Sequence, residues 1–379
     1  MIIQLSQSTR NFSFVVIGRV GNGILQGVFY MIFALLLTPH QYGELSYLIA
    51  LAGVVSVIAR FGFNHSVLVF LSKQNEKIVN QINLLVLITS SIAAILLLPF
   101  NIYASILSLG LSFFSMSQHY LLGNKNYKFF MLTAFLKGSF TIIIPLILYN
   151  FLLLDGIILG LAIGNLCVSF PYLKKIKFVL IKNQIKSNLP IFLNNFGVDA
   201  SIHFTRTIDK IIIVPILGFV STGIYQFNLQ ILFGLEMLPL AFHSFFLSEE
   251  SSQKRHLKIE ILSMILSVVV VLIVIFLSPI LIPSWFPEYQ EGVPGLQIMI
   301  LSLIPLTFAS IYTAKLQSIS SKLIGISAFV RIITLIVLIV TIGHSLGLIG
   351  LAYAVLISNI AYSCYIWFLY RKKTTKSKR

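Results

Sequence analysis

Charged residues are scarce in this chain, and acidic ones are the scarcest. Only 10% of its 379 residues are charged, 11 are acidic and 57% are hydrophobic. A soluble domain carries about a quarter charged residues, so this chain has too little polar surface to cover a water-facing globule. The scarcity argues against a soluble enzyme or binding domain and indicates a membrane protein.

Cysteine is nearly absent as well. Cys167 and Cys364 both fall inside apolar stretches, where a free thiol behaves as a small apolar side chain. The sequence shows neither a cluster with metal-ligand spacing nor a nucleophile–base pairing typical of a hydrolase. We therefore predict that the chain has no catalytic residue and no metal site, and that it is not an enzyme.

Long apolar runs are what the chain has in abundance. A helix needs about 20 apolar residues to cross hydrocarbon, and the runs are continuous rather than alternating, which argues against a β-barrel. They predict an all-α integral membrane protein with about 12 transmembrane helices. The predicted spans are 12–37, 42–59, 79–98, 102–122, 129–149, 151–172, 189–217, 220–247, 259–282, 295–316, 323–342 and 346–370.

Basic residues lie on one side of these spans. If Met1 starts in the cytoplasm, all but six of the 27 Lys and Arg residues fall in inner connections or at inner span ends. This positive-inside pattern predicts a multi-pass inner-membrane protein with both termini cytoplasmic. The net charge of +16 is then mainly an orientation signal with attraction to anionic lipid, and we expect no nucleic acid as a partner.

A weak internal repeat divides the chain. At an offset of 194, Ala134-Phe135-Leu136-Lys137 matches Ala328-Phe329-Val330-Arg331, and at an offset of 180, Tyr42-Gly43 corresponds to Thr222-Gly223. A repeat of six helices starts each half from the same side, as in transporters with two lobes around a central site. We predict two pseudo-symmetric six-helix lobes, 1–172 and 187–379, with a basic cytoplasmic linker at 173–186 and a basic tail after the last helix.

Six cations fall inside predicted spans, against three acids at similar depth. The acids are Asp199, Asp209 and Glu236. An ionisable side chain in the membrane costs about 2.5–3.5 kcal/mol by insertion scales, so it normally faces a cavity or a partner. Arg60, at a span end, is expected to reach the lipid headgroups. The other five are predicted to line a cationic, substrate-binding cavity: Arg19, Lys137, Arg206, Lys210 and Arg331.

The seventh span carries a narrow polar face. At about 100° per residue, Asp199, His203, Arg206 and Lys210 fall on one side of the helix. This face either lines an aqueous cavity or is neutralised within the helix by Asp199–His203 and Asp209–Arg206 pairs. Asp199, His203 and Glu236 are also candidates for binding a coupling ion, and Glu236 is otherwise a partner for Arg206 or Lys137.

Several short motifs carry a family resemblance. The stretch Asp209-Lys210-Ile211-Ile212-Ile213, with Thr222-Gly223-Ile224-Tyr225 after it, resembles the seventh-helix region of Wzx-type flippases. These export lipid-linked oligosaccharides and belong to the multidrug/oligosaccharidyl-lipid/polysaccharide exporter superfamily. Arg60-Phe61-Gly62-Phe63 and Trp285-Phe286-Pro287-Glu288-Tyr289 are similar to segments of the same family.

The resemblance implies a MATE/flippase-like fold and a function. It implies a bacterial inner-membrane flippase that turns undecaprenyl-diphosphate-linked oligosaccharide repeat units outward, by alternating access, for O-antigen or capsule biosynthesis. Membrane lipids and a polysaccharide polymerase are the partners it implies, with no cofactor beyond a coupling H⁺ or Na⁺. By position, Arg206 and Lys210 would meet the diphosphate, with Lys137 and Arg331 as further candidates.

Two other functions stay open at this stage. One is a cation-coupled multidrug or small-molecule antiporter of the same superfamily, against which the surplus of basic residues argues, since a cavity for cationic drugs should have surplus acid. The other is a glycan polymerase or ligase, which needs large outer loops, whereas the longest predicted outer connection, 283–293, is short.

Overall fold

The structure is a computed structural model that describes residues 7–177, 184–251, 257–319 and 322–377. Residues 178–183 of the predicted linker and residues 378–379 of the basic tail lie outside the described residues. Throughout the described ranges the regular structure is helical. Its α-helices are α1 (Gln7–Leu36), α2 (Pro39–Arg60), α3 (Phe63–Ser72), α4 (Glu76–Leu97), α5 (Ile102–Gly123), α6 (Tyr127–Leu173), α7 (Gln184–Ser187), α8 (Leu189–Leu235), α9 (Met237–Ser251), α10 (Leu257–Trp285), α11 (Val293–Ile300), α12 (Leu303–Ile319), α13 (Lys322–Leu338) and α14 (His344–Ser377). A 3₁₀ helix, Pro287–Gly292, precedes α11, and a π-helical turn, Ile339–Gly343, precedes α14.

The predicted spans correspond to these helices. Eight helical stretches among the described residues are long and apolar enough to cross a membrane. Three of them contain a residue with non-helical backbone: Leu153 in α6, Gly218 in α8 and Gly347 in α14. Gly218 lies in the break predicted at 218–219, whereas Leu153 and Gly347 lie within three residues of the breaks predicted at 150 and 343–345. The remaining predicted span, 102–122, is helix α5. The all-α membrane fold predicted from the sequence is confirmed.

Small residues let the two arms of α6 pack closely. A Cβ atom added at Gly156 would lie 2.2 Å from the carbonyl oxygen of Leu148, and one added at Gly160 would lie 2.6 Å from Pro145. The residues in contact lie on opposite sides of Leu153, and those further along one arm meet those further back on the other. The chain therefore reverses direction at Leu153, and the two arms run antiparallel. Glycines spaced four residues apart on one face permit this approach in a membrane helix pair.

The chain divides into two compact units. Unit 1 contains residues Met1–Tyr30 and Leu48–His203, and unit 2 contains Met31–Tyr47 and Phe204–Arg379. Helices α1, α2 and α8 therefore each contribute residues to both units. These boundaries differ from those of the two predicted lobes, and the six-helix repeat stays a prediction.

Each unit has its own apolar core. In unit 1, Val67, Ile82 and Phe192 are fully buried in a cluster that joins α3, α4 and α8. In unit 2, Leu232 and Leu351 lie in a larger cluster built by helices α8 and α10 to α14.

Within unit 2 the turn of α2 around Gly43 crosses the turn of α8 around Gly223. A Cβ atom at Gly43 would lie 1.9 Å from the carbonyl oxygen of Phe219, and one at Gly223 would lie 1.9 Å from that of Pro39. The two contacts are reciprocal, because Pro39 and Phe219 are separated by the same 180 residues as the two glycines. This is the offset at which the sequence repeat matched Gly43 to Gly223.

Candidate functional site

A buried carboxylate, Asp199, joins three helices of unit 1. Its Oδ2 accepts a hydrogen bond from Arg60 of α2 at 3.1 Å, and its Oδ1 accepts one from the amide of Asn64 of α3 at 3.0 Å. Arg60 and Asp199 are each 1% exposed. The guanidinium also donates to the Ser56 hydroxyl at 3.1 Å. The result is a buried ion pair whose charges cancel, with hydrogen bonds to further polar groups.

A left-handed glycine permits this arrangement. Gly62 has φ of 72° and connects α2 to α3. A Cβ atom there would lie 2.2 Å from the backbone nitrogen of Phe196, so only glycine allows α8 to come so close. Since Asp199 follows Phe196 by three residues, the approach brings its carboxylate to Arg60.

Two histidines flank the same carboxylate, and a third packs against one of them. The Nε2 atoms of His65 and His203 lie 3.6 Å and 3.5 Å from Asp199 Oδ1. His119 of α5 packs edge-on against His65, with ring centroids 4.7 Å apart, and its Nδ1 donates to the carbonyl oxygen of Ser115 at 2.8 Å. We call Arg60, Asn64, His65, His119, Asp199 and His203 the Asp199 centre.

The Asp199 centre corrects one expectation and supplies residues that the sequence analysis missed. Arg60 was expected at the headgroups, but it is buried and paired. Asn64, His65 and His119 were not singled out. The available signal was the position of Asn64 and His65, which follow Arg60-Phe61-Gly62-Phe63 directly and form, with Ser66, a run of three polar residues before an apolar stretch.

Lys137 of α6 is a buried cation of unit 1. It is 8% exposed, and its Nζ lies 5.8 Å from the centre of the Phe114 ring. Within the part of the chain that the structure describes, it has no carboxylate at ion-pair distance. Burial of an uncompensated ammonium group is costly, so this position favours an anion next to it.

Arg19 of α1, another predicted cavity residue, is exposed. Gly18 and Gly21 of the same helix face α6, where added Cβ atoms would meet Met131 and Phe135. From Gly18, Arg19 is turned by about 100° around the helix, away from this packed side. No ion pair to Arg19 occurs among the described residues.

The other predicted stripe residues of α8 lie in unit 2, where one cation is paired and one is not. Lys210 Nζ lies 3.0 Å from Asp209 Oδ1, and the Tyr225 hydroxyl donates to Asp209 Oδ2 at 2.9 Å. One of the two alternatives drawn from the sequence paired Asp209 with Arg206, but its partner is the adjacent lysine. Arg206 is exposed, with its guanidinium carbon 5.2 Å from the centre of the Phe233 ring.

The remaining two predicted site residues of unit 2 pair with each other. Arg331 lies 3.7 Å from Glu236 Oε1, which is neither of the partners proposed for Glu236 from the sequence. Arg331 also lines a cleft together with the Asp209 carboxylate and Ser358. The rest of the lining is Thr205, Tyr225, Leu229, Leu232, Phe233, Leu335 and Val355.

Counted together, the charges leave a cationic surplus. Each acid at membrane depth has a basic partner: Asp199 has Arg60, Asp209 has Lys210, and Glu236 has Arg331. Arg19, Lys137 and Arg206 have no such partner among the described residues. Those residues also contain no group of His, Cys, Asp and Glu side chains that could hold a metal ion.

Comparisons with known proteins agree with a transporter fold. A family model described as polysaccharide biosynthesis protein matches residues 8–136, about a third of the chain. No curated protein matches. Among solved structures, the chain is similar to the lipid II flippase MurJ in an inward closed conformation, at 17% identity and a TM-score of 0.76, over 93% of this chain and 86% of that one.

Two further structures are transporters of the MOP superfamily. One is an inward-facing multidrug resistance MATE family transporter of the MOP superfamily, at 15% identity and a TM-score of 0.64, covering 100% of this chain and 97% of that chain. The other is a MOP superfamily transporter from Pyrococcus furiosus whose binding pocket is described as having reverse polarity, at 14% identity and a TM-score of 0.55, covering 97% and 94%. These similarities define the class: the chain is a multi-pass membrane protein with the fold of MOP superfamily transporters.

Proposed function

We propose that this chain is a flippase for undecaprenyl-diphosphate-linked oligosaccharide repeat units. It moves them across the bacterial inner membrane by alternating access, for O-antigen or capsule biosynthesis. The transporter fold and the partial match to the polysaccharide biosynthesis family support the proposal. In this proposal both termini are cytoplasmic and a polysaccharide polymerase receives the cargo.

The observation that carries the proposal is the buried, unpaired charge of Lys137. A diphosphate would supply the missing negative charge, because ammonium and guanidinium groups form strong, charge-assisted hydrogen bonds with phosphate oxygens. Arg19 and Arg206 are exposed basic groups available to the same kind of ligand, and the prenyl tail would remain in lipid. Lys210 and Arg331 keep a lesser role, since each already has a carboxylate partner.

The same charge accounting disfavours an antiporter of cationic drugs. Such a substrate needs a free carboxylate at membrane depth, whereas Asp199, Asp209 and Glu236 are each neutralised by a basic side chain. Coupling of transport to H⁺ or Na⁺ through Asp199, His203 or Glu236 is compatible with the flippase and forms part of the proposal.

Substitution of Lys137 tests the function. We expect Lys137→Gln to weaken the binding of undecaprenyl diphosphate to the purified protein by roughly 10- to 100-fold, the value of one charge-assisted hydrogen bond. A strain that depends on this variant should lose most of its surface glycan. Binding is measured in lipid nanodiscs, and glycan is quantified at matched protein levels.

The matched control is Lys73→Gln, which removes one charge from an exposed lysine. It should retain wild-type binding and glycan. Wild-type binding in both variants would contradict the proposal, and so would resistance to cationic drugs that depends on the protein while surface glycan is unaffected by its deletion.

A further inference from the structure

The Asp199 centre has features that charge neutralisation alone does not need. A single arginine would suffice to compensate a single carboxylate, yet three histidines also converge here from α3, α5 and α8. The charged and titratable groups that face Asp199 are Arg60 from α2, His65 from α3, His119 from α5 and His203 of α8 itself.

The two oxygens of Asp199 have different surroundings. Oδ2 is held by the Arg60 guanidinium, whereas Oδ1 accepts from the neutral amide of Asn64 and lies between the Nε2 atoms of His65 and His203. Those two separations, 3.6 Å and 3.5 Å, exceed the 2.7–2.9 Å of a charge-assisted hydrogen bond. The imidazole contacts can therefore shorten when a proton is added.

The two imidazoles are also more exposed than the carboxylate that they flank. The side chains of His65 and His203 are 27% and 48% exposed, whereas that of Asp199 is 2% exposed. The imidazoles thus connect a buried anion to the surroundings of unit 1. His119 donates to a backbone carbonyl and packs against His65, which orients the His65 ring.

We propose that the Asp199 centre is a proton-binding site that takes one proton, shared by His65 and His203 through Asp199 Oδ1. Histidine is the side chain suited to gaining and losing a proton near neutral pH. A second proton is opposed, because it would add a third positive charge, with Arg60 already present, around one carboxylate. Proton binding strengthens the attachment of α8 to α3, because a charged His65 on α3 donates a hydrogen bond to Asp199 on α8.

The part of the Asp199 centre on α8 lies close to Arg206, one of the basic residues proposed to bind the substrate. His203 is the last residue of unit 1, and α8 continues directly into unit 2 with Arg206 less than one turn further on. Asp199 and Arg206 are separated by about 10 Å along the helix. In the proposed flippase, loss of the proton weakens the attachment of α8 to α3 and so couples the proton gradient to the segment that carries Arg206. This coupling rests on the proposed function, whereas the proton site itself does not.

Hydrogen–deuterium exchange tests the site without any cargo. The purified full-length protein in nanodiscs is followed from about pH 8 to about pH 5.5, with rates corrected for the intrinsic effect of pH. We expect peptides covering 192–206 to exchange on the order of tenfold more slowly at the lower pH, because one charge-assisted hydrogen bond closes local opening. The His65→Gln/His203→Gln variant should lose this response, and the control His40→Gln/His344→Gln, which changes two exposed histidines, should keep it.

A pH response that is absent in the wild type, reversed in sign or retained in His65→Gln/His203→Gln would overturn the proton site.

A separate experiment uses proteoliposomes with a fluorescent undecaprenyl diphosphate lipid and an imposed pH gradient. We expect the gradient to accelerate transport by the wild type and by the control but not by His65→Gln/His203→Gln. If exchange responds as expected while no lipid moves in any variant, the flippase function fails and the proton site stands.

Discussion

At the scale of single residues, the pairing of buried charges is important for the stability of this protein. Arg60 and Asp199 are nearly inaccessible and share one short contact. Removing one member of such a pair leaves the other charge buried without compensation, which typically costs 3–5 kcal/mol. Removing both members costs much less, because the attraction within a buried pair is largely offset by the cost of removing its two charges from water.

We therefore predict that Arg60→Met and Asp199→Leu are each strongly destabilising and that the double variant recovers most of the loss. Thermal unfolding of the purified protein in one detergent measures all three, and Lys73→Met, at an exposed position, serves as the control. Additive losses in the double variant would show that the two side chains do not compensate each other.

The same reasoning applies to Asp209, whose partners are the adjacent Lys210 and Tyr225 from the other arm of α8. Lys210→Met should destabilise unit 2 by about 3–5 kcal/mol, because it leaves a buried carboxylate with a neutral donor only. Arg206→Met should change stability little, since its guanidinium is exposed and stacks on Phe233. Equal losses in the two variants, measured by the same unfolding experiment, would contradict the pairing.

At the scale of elements, glycine determines how closely the helices pack. The reciprocal contacts at Gly43 and Gly223 leave no room for a methyl group, as the neighbouring atoms are backbone carbonyl oxygens. Backbone cannot move aside as a flexible side chain can, so added volume must separate the helix turns.

Gly43→Ala and Gly223→Ala should each destabilise the protein by about 1–3 kcal/mol, the usual cost of overpacking. Gly27→Ala and Gly234→Ala are matched controls, because an added Cβ atom there meets nothing within 4 Å. Alanine is favoured over glycine in a helix by about 1 kcal/mol, so the controls should be neutral or slightly more stable. Equal unfolding temperatures for all four variants would show that the crossing does not restrict side-chain size.

At the scale of the whole molecule, orientation follows from the distribution of charge. The segregation of Lys and Arg to one side of the predicted spans should place both ends of the chain in the cytoplasm. We predict that a green fluorescent protein fused after Arg379 fluoresces in bacterial cells and that alkaline phosphatase fused there is inactive. Active phosphatase at that position would reverse the predicted topology.

The fold was largely predictable because the length of an apolar run is a local property. The predicted breaks between paired spans fall beside Leu153, Gly218 and Gly347, where the backbone leaves the helix. The unit boundaries were not predictable, since α1, α2 and α8 each contribute residues to both units, and a linear repeat does not reveal how contacts are shared.

The candidate site was only partly predictable. Sequence alone selected the basic residues at membrane depth, because a charge in an apolar run is visible without a structure. The partners of those charges were not visible: Arg60 and Asp199 are 139 residues apart, and Asn64 and Asp199 are 135 apart. Helical spacing suggested an Asp209–Arg206 pair, but the carboxylate bonds the adjacent Lys210 and a tyrosine from the other arm of α8.

The sequence by itself determined that this chain is a helical membrane protein with more basic than acidic groups inside its spans, because hydrophobic length and charge count do not depend on how helices pack. Only the tertiary structure decided which cations stay unpaired and which carboxylate lies next to histidines. Electrostatic compensation acts over a few ångströms in space, and that proximity arises when distant helices are brought together by close contacts such as that of Gly62 with Phe196.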